Sequence, residues 1–530
     1  MCQSFLMAST PEQIAEITAG YTFDSPAIDL GVLMAEGEPV ASTRIRLSLS
    51  MLNRHGLVAG ATGTGKTRTL QLMAEQISRA GVSVFAADIK GDLSGIAVPG
   101  EPSEKLTART QKIGQDWQPE GCPVEFYALG GQGSGVPLRA TVSSFGPILL
   151  SKVLGLNQTQ ESSLGLVFHY ADTRGLPLLD LADLKQVMQY LTSEEGKPDL
   201  KELGGLSSAT VGVILRSLVT LETQGGEEFF GETEFNSTDL IRTTADGHGV
   251  ISLLELPNLQ DRPAIFSTFI MWLLADLFHD LPEVGDVDVP KLVFFFDEAH
   301  LLFDDASKAF LDAIAQTVRL IRSKGVGIFF VTQVPSDVPD DVLAQLGSRV
   351  QHQLRAHTPK DAKALKATVE TYPNSAYDLA QTLQSLGIGE AIVTVLNPNG
   401  APTPVAWTRM LAPLGSMKPL DPQWLADGVA TSEMQAKYGP SVNRDSAYEM
   451  LTRRLEEGAA KAQAEAEAAA QAKAEAAAAD KPAPRSSGAS GSRSRAKSGV
   501  EKVLSSPTFW NQVMRVGGQV VRTFWGTARR

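Results

Sequence analysis

The residue types and spacing that are best suited to chemistry lie in one glycine-rich run, Gly60-Ala61-Thr62-Gly63-Thr64-Gly65-Lys66-Thr67. It matches the pattern G-x-x-x-x-G-K-[ST], in which backbone N–H groups surround phosphate oxygens. In that pattern the lysine reaches the β- and γ-phosphates, and the hydroxyl after it binds Mg²⁺. We therefore expect a site for ATP and Mg²⁺, in which Lys66 holds phosphate, Thr67 holds the metal and Arg68 joins the nucleotide-binding residues.

Signals for a strand and a helix flank this run, which is the context that a phosphate loop requires. The residues just before it, Gly56-Leu57-Val58-Ala59, predict a short buried strand. After it, apolar residues at helical spacing predict a helix from Arg68 to Arg79. The amino end of such a helix favours phosphate, so the flanking elements support the site.

An apolar run that ends in two acids supplies the second half of a hydrolytic site. Leu292 to Phe296 predicts a strand buried in a parallel sheet, and Asp297 and Glu298 follow it directly. A carboxylate at a strand tip suits Mg²⁺, so we expect Asp297 to bind the metal. The next carboxylate suits a general base, so we expect Glu298 to activate the attacking water.

Another apolar strand ends in two polar residues, Thr332 and Gln333. In P-loop ATPases with an inserted strand, such a strand lies between the phosphate-loop strand and the strand with the acids. Gln333 would then lie near the γ-phosphate and report its presence, with Thr332 as the second choice. The alternative is an ordinary polar strand end.

A polar turn, Asp88-Ile89-Lys90-Gly91-Asp92, follows the strand predicted at residues 82–87. The carboxyl ends of strands face the ligand crevice in open α/β sheets. Lys90 or Asp92 therefore contacts nucleotide or a neighbouring subunit, or else the segment is simply a solvated turn.

Alternating strand and helix patterns predict an α/β fold with a doubly wound, mostly parallel sheet. Within it we expect a helix to start at Pro147 and a strand to cover Val350 to Leu354. The predicted segments are a short N-terminal segment (1–50), two parts of an ATPase core (51–146 and 246–410), a helical insertion (147–245), a wrapping segment (411–445), an Ala/Glu-rich helix (446–480), a disordered linker (481–505) and a basic amphipathic helix (506–530).

Charge is unevenly distributed along the 530 residues, whose formal net charge is −13. Residues 481–530 hold ten basic residues and one acid, so that segment carries +9 and residues 1–480 carry −22. An acidic body does not indicate nucleic acid, but a ring can carry a basic lining inside an acidic exterior.

Cysteine usage and the absence of targeting signals predict a cytoplasmic protein. The chain has two cysteines, Cys2 and Cys122, no signal peptide at its start and no run of about 18 apolar residues. The helix predicted at 506–530 would lie on a membrane surface, dock on a partner or dock on its own body.

These motifs, in this order, resemble the HerA/FtsK superfamily of ring-forming P-loop motor ATPases, and most closely a poorly characterised bacterial HerA-like family. The matching stretches are Gly60 to Thr67, Asp88 to Asp92, Phe296 to His300, Ile321 to Gly327 and Val331 to Gln333. The resemblance covers roughly residues 25–410. It implies a RecA-like core, a hexameric ring and ATP-driven movement of double-stranded DNA.

The resemblance also implies a residue that acts between subunits. Arg322 lies in the turn before the strand that ends in Gln333, and it is the first choice for an arginine finger acting in trans. Arg319, Arg349 and Arg355 are its rivals, and a plain surface role is the alternative. A nuclease or a membrane surface is a further partner that this resemblance and the basic tail suggest.

Three functions follow from this sequence. The first is a DNA translocase or helicase driven by ATP hydrolysis. The second is a membrane-associated ATPase that moves or remodels protein, as in related secretion ATPases. The third is an ATP-dependent switch without motor activity.

Overall fold

Short apolar runs pair into one twelve-stranded sheet. The computed structural model describes residues 10–479 apart from 131–132, 203, 257–262, 305, 441 and 443. Its strands are β1 (Ala27–Ala35), β2 (Glu38–Ser48), β3 (Gly56–Ala59), β4 (Ser83–Asp88), β5 (Val124–Leu129), β6 (Val136–Leu138), β7 (Ile251–Glu255), β8 (Leu292–Phe296), β9 (Val326–Thr332), β10 (Ser348–Gln351), β11 (Glu390–Thr394) and β12 (Ala406–Met410). Their order in the sheet is β2-β1-β12-β11-β10-β3-β9-β8-β4-β7-β5-β6.

Helices connect and cover these strands. They are α1 (Pro11–Gly20), α2 (Lys66–Arg79), α3 (Glu104–Lys112), α4 (Val142–Val153), α5 (Gln158–Thr173), α6 (Leu181–Thr192), α7 (Lys197–Glu202), α8 (Ser208–Leu221), α9 (Glu227–Phe229), α10 (Pro263–Asp280), α11 (His300–Phe303), α12 (Lys308–Ile321), α13 (Asp340–Leu343), α14 (Pro359–Glu370), α15 (Leu379–Ser385), α16 (Pro422–Ala430), α17 (Glu433–Tyr438) and α18 (Ala447–Ala479). The bounds predicted for β8 and α10 agree with those observed.

The strands from β10 to β6 run parallel, which confirms the predicted fold class. Both faces of this block are covered, because successive residues of β8 enter different cores. Phe294 packs in a cluster with helices α10 and α12, and Phe295 packs in a second cluster with α2. A strand buried on both faces has no polar alternation, which explains the all-apolar run of β8.

An antiparallel extension adds β11, β12, β1 and β2 to the side of β10. Residues 27–48 thus continue the main sheet, and α1 carries Ile17 into the same core as α2. The sheet therefore gains antiparallel strands from both the N-terminal segment and the stretch after residue 389.

Between β6 and β7 the chain forms helices α4 to α9, as the sequence predicts for this region. The element α4 begins at Val142, before the predicted start at Pro147, but it contains a break at Gly146, and the predicted helix follows that break. Thr141 caps that helix by accepting a hydrogen bond from Ser144 N at 3.1 Å. Gly146 takes a non-helical φ of 74°, which interrupts the helix just before Pro147, and proline is tolerated in the first turn after such a break.

The chain divides into two units, residues 1–459 and 460–530. The structure describes the second unit only as far as 479, where it forms the end of α18. The predicted Ala/Glu-rich helix is confirmed by α18, and its side chains are exposed from Glu456 to Ala474. The predicted linker at 481–505 and the amphipathic helix at 506–530 lie outside the described residues.

Candidate functional site

The phosphate loop has the predicted strand–loop–helix form. Strand β3 is fully buried, and α2 begins directly at Lys66, with Gly65 before it at φ 116°. Gly60 has φ 156°, and a Cβ there would lie 2.5 Å from the Cβ of His352. Only glycine fits at that position, so the loop sequence follows from close backbone packing as well as from phosphate binding.

Lys66 is buried beside the loop that it is expected to serve. Its Nζ donates to Gly60 O at 2.6 Å and to Ala61 O at 3.3 Å. Burial lowers the pKa of Lys66, while the nearby charges of Glu298 and Asp297 oppose that shift. Lys66 therefore lies close enough to Asp297 and Glu298 for their charges to act on its ammonium group.

The loop is held from its other side by the segment after β10. His352 N donates to Ala59 O at 2.7 Å, and Ala61 N donates to Gln353 O at 2.8 Å. The prediction that this strand reaches Leu354 was wrong, because β10 ends at Gln351. Beyond that residue the backbone leaves the sheet in order to line the phosphate loop.

His352 is a buttress of the loop that sequence analysis missed. Its Nε2 lies 2.9 Å from Thr69 Oγ1, and its Nδ1 lies 2.8 Å from Glu390 O. Burial lowers the pKa of His352 to about 4, so the ring is neutral and has a supporting role. Nothing in the local sequence marks it, because its partners come from distant segments.

Gly389 gives a third support. Its N–H donates to Thr64 O at 2.9 Å, and its carbonyl accepts from the Arg109 guanidinium at 3.0 Å. It lies at φ 72°, a conformation that suits glycine. The loop is therefore braced by backbone from two separate parts of the chain, residues 352–353 and Gly389.

Asp297 fits the expected metal ligand. It is 2% exposed, and its Oδ1 accepts from Glu298 N at 2.8 Å. Its Oδ2 is buried with no hydrogen-bond partner. Burial, followed by the charge of Glu298, raises the pKa of Asp297 to about 7. An unpartnered buried carboxylate oxygen is stabilised by a cation, so these residues fit Mg²⁺.

No cluster of three or more His, Cys, Asp or Glu side chains that could hold a metal occurs within the described part of the chain. Mg²⁺ usually takes one or two protein carboxylates together with water and substrate phosphates. Asp297 and the Thr67 hydroxyl would supply the protein ligands. When bound, the metal neutralises charge on the transferring phosphate.

Glu298 is almost completely buried, with its side chain 5% exposed. Its Oε1 accepts a hydrogen bond from Lys90 Nζ, and its Oε2 lies 3.4 Å from His300 Nδ1. Burial alone would raise the pKa of Glu298, but the bond and charge of Lys90 outweigh burial and lower it. Its backbone has φ 47°, which is uncommon for a residue other than glycine.

The turn after β4 is ordered by Asp88. Its carboxylate accepts backbone N–H bonds from Gly91 at 2.8 Å, Asp92 at 3.2 Å and Leu93 at 2.8 Å. Burial raises the pKa of Asp88 to about 6. The turn presents Lys90 to Glu298, a contact that sequence analysis did not foresee.

Strand β9 lies between β3 and β8, as predicted. Thr332 is buried at its end, where its hydroxyl donates to Asp337 Oδ2 at 2.6 Å and its carbonyl accepts from Gly60 N at 3.2 Å. Gln333 is exposed beside it. The role of Gln333 as a γ-phosphate sensor stays a prediction.

The family model described as Helicase HerA-like C-terminal matches residues 34–530. The chain belongs to this family. The membership confirms the predicted resemblance to HerA-like P-loop ATPases and an enzyme class of ATP hydrolysis. A likeness of 21% identity links this HerA-like chain to the DNA double-strand break repair helicase HerA of Sulfolobus acidocaldarius, over 73% of this chain and 70% of that protein.

A further relative and two solved structures are also similar to this chain. The HerA helicase of Saccharolobus solfataricus is 23% identical over 73% of this chain and 70% of its own length. Among solved structures, the bacterial conjugative coupling protein TrwB covers 76% of this chain and 93% of its own, at 14% identity and a TM-score of 0.49. VirB4 of Thermoanaerobacter pseudethanolicus covers 73% and 97%, at 14% identity and a TM-score of 0.46.

The remaining predicted site residues of this HerA-like chain lie in two places. Arg68 is half-buried next to the loop, where its guanidinium donates to Gln71 Oε1 at 3.1 Å and to Met417 O. Arg322 is exposed in the turn that precedes β9, at the opposite end of the parallel strands. Its predicted rival Arg355 is exposed and donates to Thr62 O of its own phosphate loop at 3.3 Å.

Proposed function

We propose that this HerA-like chain hydrolyses ATP in order to move along double-stranded DNA, as a ring of identical subunits. The observation that carries the proposal is that Lys66, Asp297 and Glu298 follow β3 and β8 at the carboxyl ends of the parallel strands, where the charges of both acids act on Lys66. In this arrangement Lys66 and the loop amides hold the phosphates, and Asp297 and Thr67 hold Mg²⁺. Glu298 takes the proton of the attacking water.

The proposal of a ring depends on where Arg322, the first choice for an arginine finger, lies within one chain. Phosphoryl transfer is accelerated by an arginine that neutralises the charge on the transferring group. Arg322 precedes β9, whose seven residues separate it by about 20 Å from the loop of its own chain. A neighbouring copy can present its Arg322 to this loop, which is the arrangement that we propose, with six subunits as the working number.

Double-stranded DNA is the proposed substrate because the chain belongs to the HerA-like family. The HerA relatives are described as DNA double-strand break repair helicases. The test is to measure steady-state ATP turnover with and without duplex DNA, together with the mass of the protein in solution. We expect turnover to rise several-fold with DNA and the mass to correspond to a closed oligomer.

The same assay separates the other functions. A rate of ATP turnover that is unchanged by DNA but increased by lipid vesicles would favour an ATPase that acts on protein at a membrane. Tight ATP binding with negligible turnover in every condition would favour a switch. Substitution of Lys66 by Ala gives the baseline, since activity that survives this change comes from another site or a contaminant.

A cytoplasmic location, a nuclease partner and a membrane-surface contact remain proposals. Within the described residues, no helix has the length and apolar character required to cross a membrane. Truncation at residue 505 and measurement of vesicle binding would test the predicted role of residues 506–530.

A further inference from the structure

An exposed apolar side chain lies on a turn beside the phosphate loop. The turn is Gly387-Ile388-Gly389, directly before β11. Ile388 is 76% exposed, more than any other large apolar side chain in the described part of the chain. Single apolar residues are common on protein surfaces, so this exposure has meaning only through the way the turn is held and the place where it lies.

Hydrogen bonds fix the backbone on both sides of Ile388. Gly387 N donates to Glu390 Oε2 at 2.9 Å, and Glu390 N donates to Gly387 O at 3.0 Å. The Gly389 carbonyl accepts from the Arg109 guanidinium at 3.0 Å. The turn therefore presents the isoleucine at a fixed place on the surface.

The same turn is joined to the phosphate loop. Gly389 N donates to Thr64 O at 2.9 Å. A Cβ on Gly65 would lie 3.3 Å from Gly389 Cα, so the two backbones are in close contact. Ile388 is therefore one residue away from a direct backbone contact with the loop that is expected to hold the phosphates.

The order of the strands places the turn and the two acids on opposite sides of this loop. Strand β3, which leads into the loop, has β9 and β8 on one side and β10 and β11 on the other. Asp297 and Glu298 follow β8. The turn precedes β11, which is antiparallel to β10, so it lies at the same edge of the sheet as the acids. The phosphate loop thus lies between the acids and the turn.

A triphosphate bound in this loop has a defined direction. Its γ-phosphate must lie toward Asp297 and Glu298, where the metal and the attacking water are expected. The ribose and the base are attached at the other end of the phosphate chain, so they extend toward the turn. Ligand sites combine apolar contacts of this kind with a few polar groups, and the face of a base gains from contact with a hydrocarbon side chain.

We propose that Ile388 is a nucleotide-binding residue, whose side chain packs against the face of the base of a nucleotide held in the phosphate loop. The inference rests on the proposed ATPase function of the site, and it supplies a base contact that the loop and the two acids do not provide. An apolar contact with the face of the ring does not read the polar edge of a base. Ile388 should therefore contribute affinity without selecting one purine over another.

A probe that lacks the base separates this contact from the phosphate contacts. With Mg²⁺ present, Ile388→Ser should bind a non-hydrolysable ATP analogue about five- to tenfold more weakly than the wild type, the size expected when part of an isoleucine side chain loses its apolar contact. Its affinity for tripolyphosphate, which has no ribose or base, should be unchanged. Titration calorimetry gives the first dissociation constant, and displacement of the analogue by tripolyphosphate gives the second.

Ile148→Ser is the matched control, because Ile148 is also exposed, at 59%, and lies on α4, which follows the strand at the far edge of the sheet. This change should alter neither dissociation constant. Ile388→Leu keeps an apolar side chain and should bind the analogue nearly as tightly as the wild type. The thermal midpoint of each variant shows whether the fold is kept, and if Ile388→Ser does not fold, Ile388→Ala tests the same contact.

Two results would overturn the inference. Equal affinity of the wild type and Ile388→Ser for the analogue would show that this side chain does not contact the base. Loss of affinity for both probes by the same factor would make Ile388 a support of the loop or, if the mass in solution also falls, a contact between copies of the chain. Neither result affects the ATPase proposal, which is tested separately by the loss of both affinities and of turnover in Lys66→Ala.

Discussion

The two edges of the parallel sheet bury polar groups in different ways. At the amino ends, His55 is enclosed with both ring nitrogens used: Nε2 lies 2.7 Å from Val318 O, and Nδ1 accepts from Ile328 N at 3.0 Å. Lys324 is buried at the same edge and donates to Leu281 O at 2.8 Å. These groups complete their bonding within the chain.

At the carboxyl ends, bonding capacity is left over. Asp297 keeps a buried oxygen without a partner, and Oε2 of Glu298 is also buried without a hydrogen bond. Unsatisfied buried oxygens are costly unless something binds them. The comparison teaches that a buried charge with completed bonding, such as Lys324, does not mark the site, whereas a buried carboxylate with an unpaired oxygen, such as Asp297, does.

The largest expected effect is a difference in ATP turnover between variants of two buried lysines, one from each edge of the sheet. Lys66→Ala is expected to lower ATP turnover by about 100-fold or more, because the ammonium that holds the β- and γ-phosphates is lost. Lys324→Met, its counterpart at the amino edge, should lower the thermal midpoint but leave the dissociation constant for ATP unchanged. Turnover that survives Lys66→Ala would remove the phosphate loop from the mechanism.

The next largest effect concerns the carboxylate of Glu298. Glu298→Gln is expected to reduce turnover by about 100-fold while ATP still binds, since an amide cannot take the proton of water. The measurement combines single-turnover hydrolysis with nucleotide titration. Glu101→Gln on the surface is the control, and normal hydrolysis by Glu298→Gln would exclude this residue as the base.

A smaller effect compares two buried histidines. Burial lowers the pKa of both His55 and His352 to about 4, below the value of about 6.5 in an unfolded chain. Each neutral ring therefore stabilises the fold above pH 6.5, by about 3 kcal/mol, and this contribution is lost as the pH falls toward 4. The stability gap between wild type and either Gln variant should narrow over that range, as followed by thermal unfolding.

Nucleotide binding distinguishes those two histidines. His352 contacts Thr69 in the first turn of α2, directly after the phosphate loop, so His352→Gln should also weaken ATP binding by a few-fold. His55→Gln should not, because its partners lie at the amino edge. Equal weakening by both variants would contradict the separation of the two edges.

The smallest effect tests whether the edges meet between subunits. Arg322→Ala subunits and Lys66→Ala subunits are each expected to be nearly inactive alone. Mixed together, they should regain measurable turnover, because some interfaces then pair an intact Arg322 with an intact phosphate loop. Mixing of Arg322→Ala with itself is the control, and the absence of any regain would leave Arg322 without a role across an interface.

Much of the site could be predicted because its signals are local. The loop from Gly60 to Thr67 and the pair Asp297–Glu298 each occupy consecutive positions, and their flanking strands are short apolar runs. The position of β9 between β3 and β8 was also predicted and is observed. Local spacing was less useful for α4, where a helical turn from Val142 precedes the break at Gly146 and was not predicted.

The sequence by itself determined which groups can bind a magnesium-bound triphosphate, because the required residue types are consecutive within each of the two motifs. Only the tertiary structure decided how those groups are held. Lys90, His352 and Gly389 come from segments far from their partners in sequence, and nothing in their own neighbourhoods requires the contacts they make. Side-chain pairing across strands depends on the order of the sheet, which is set by packing of the whole chain.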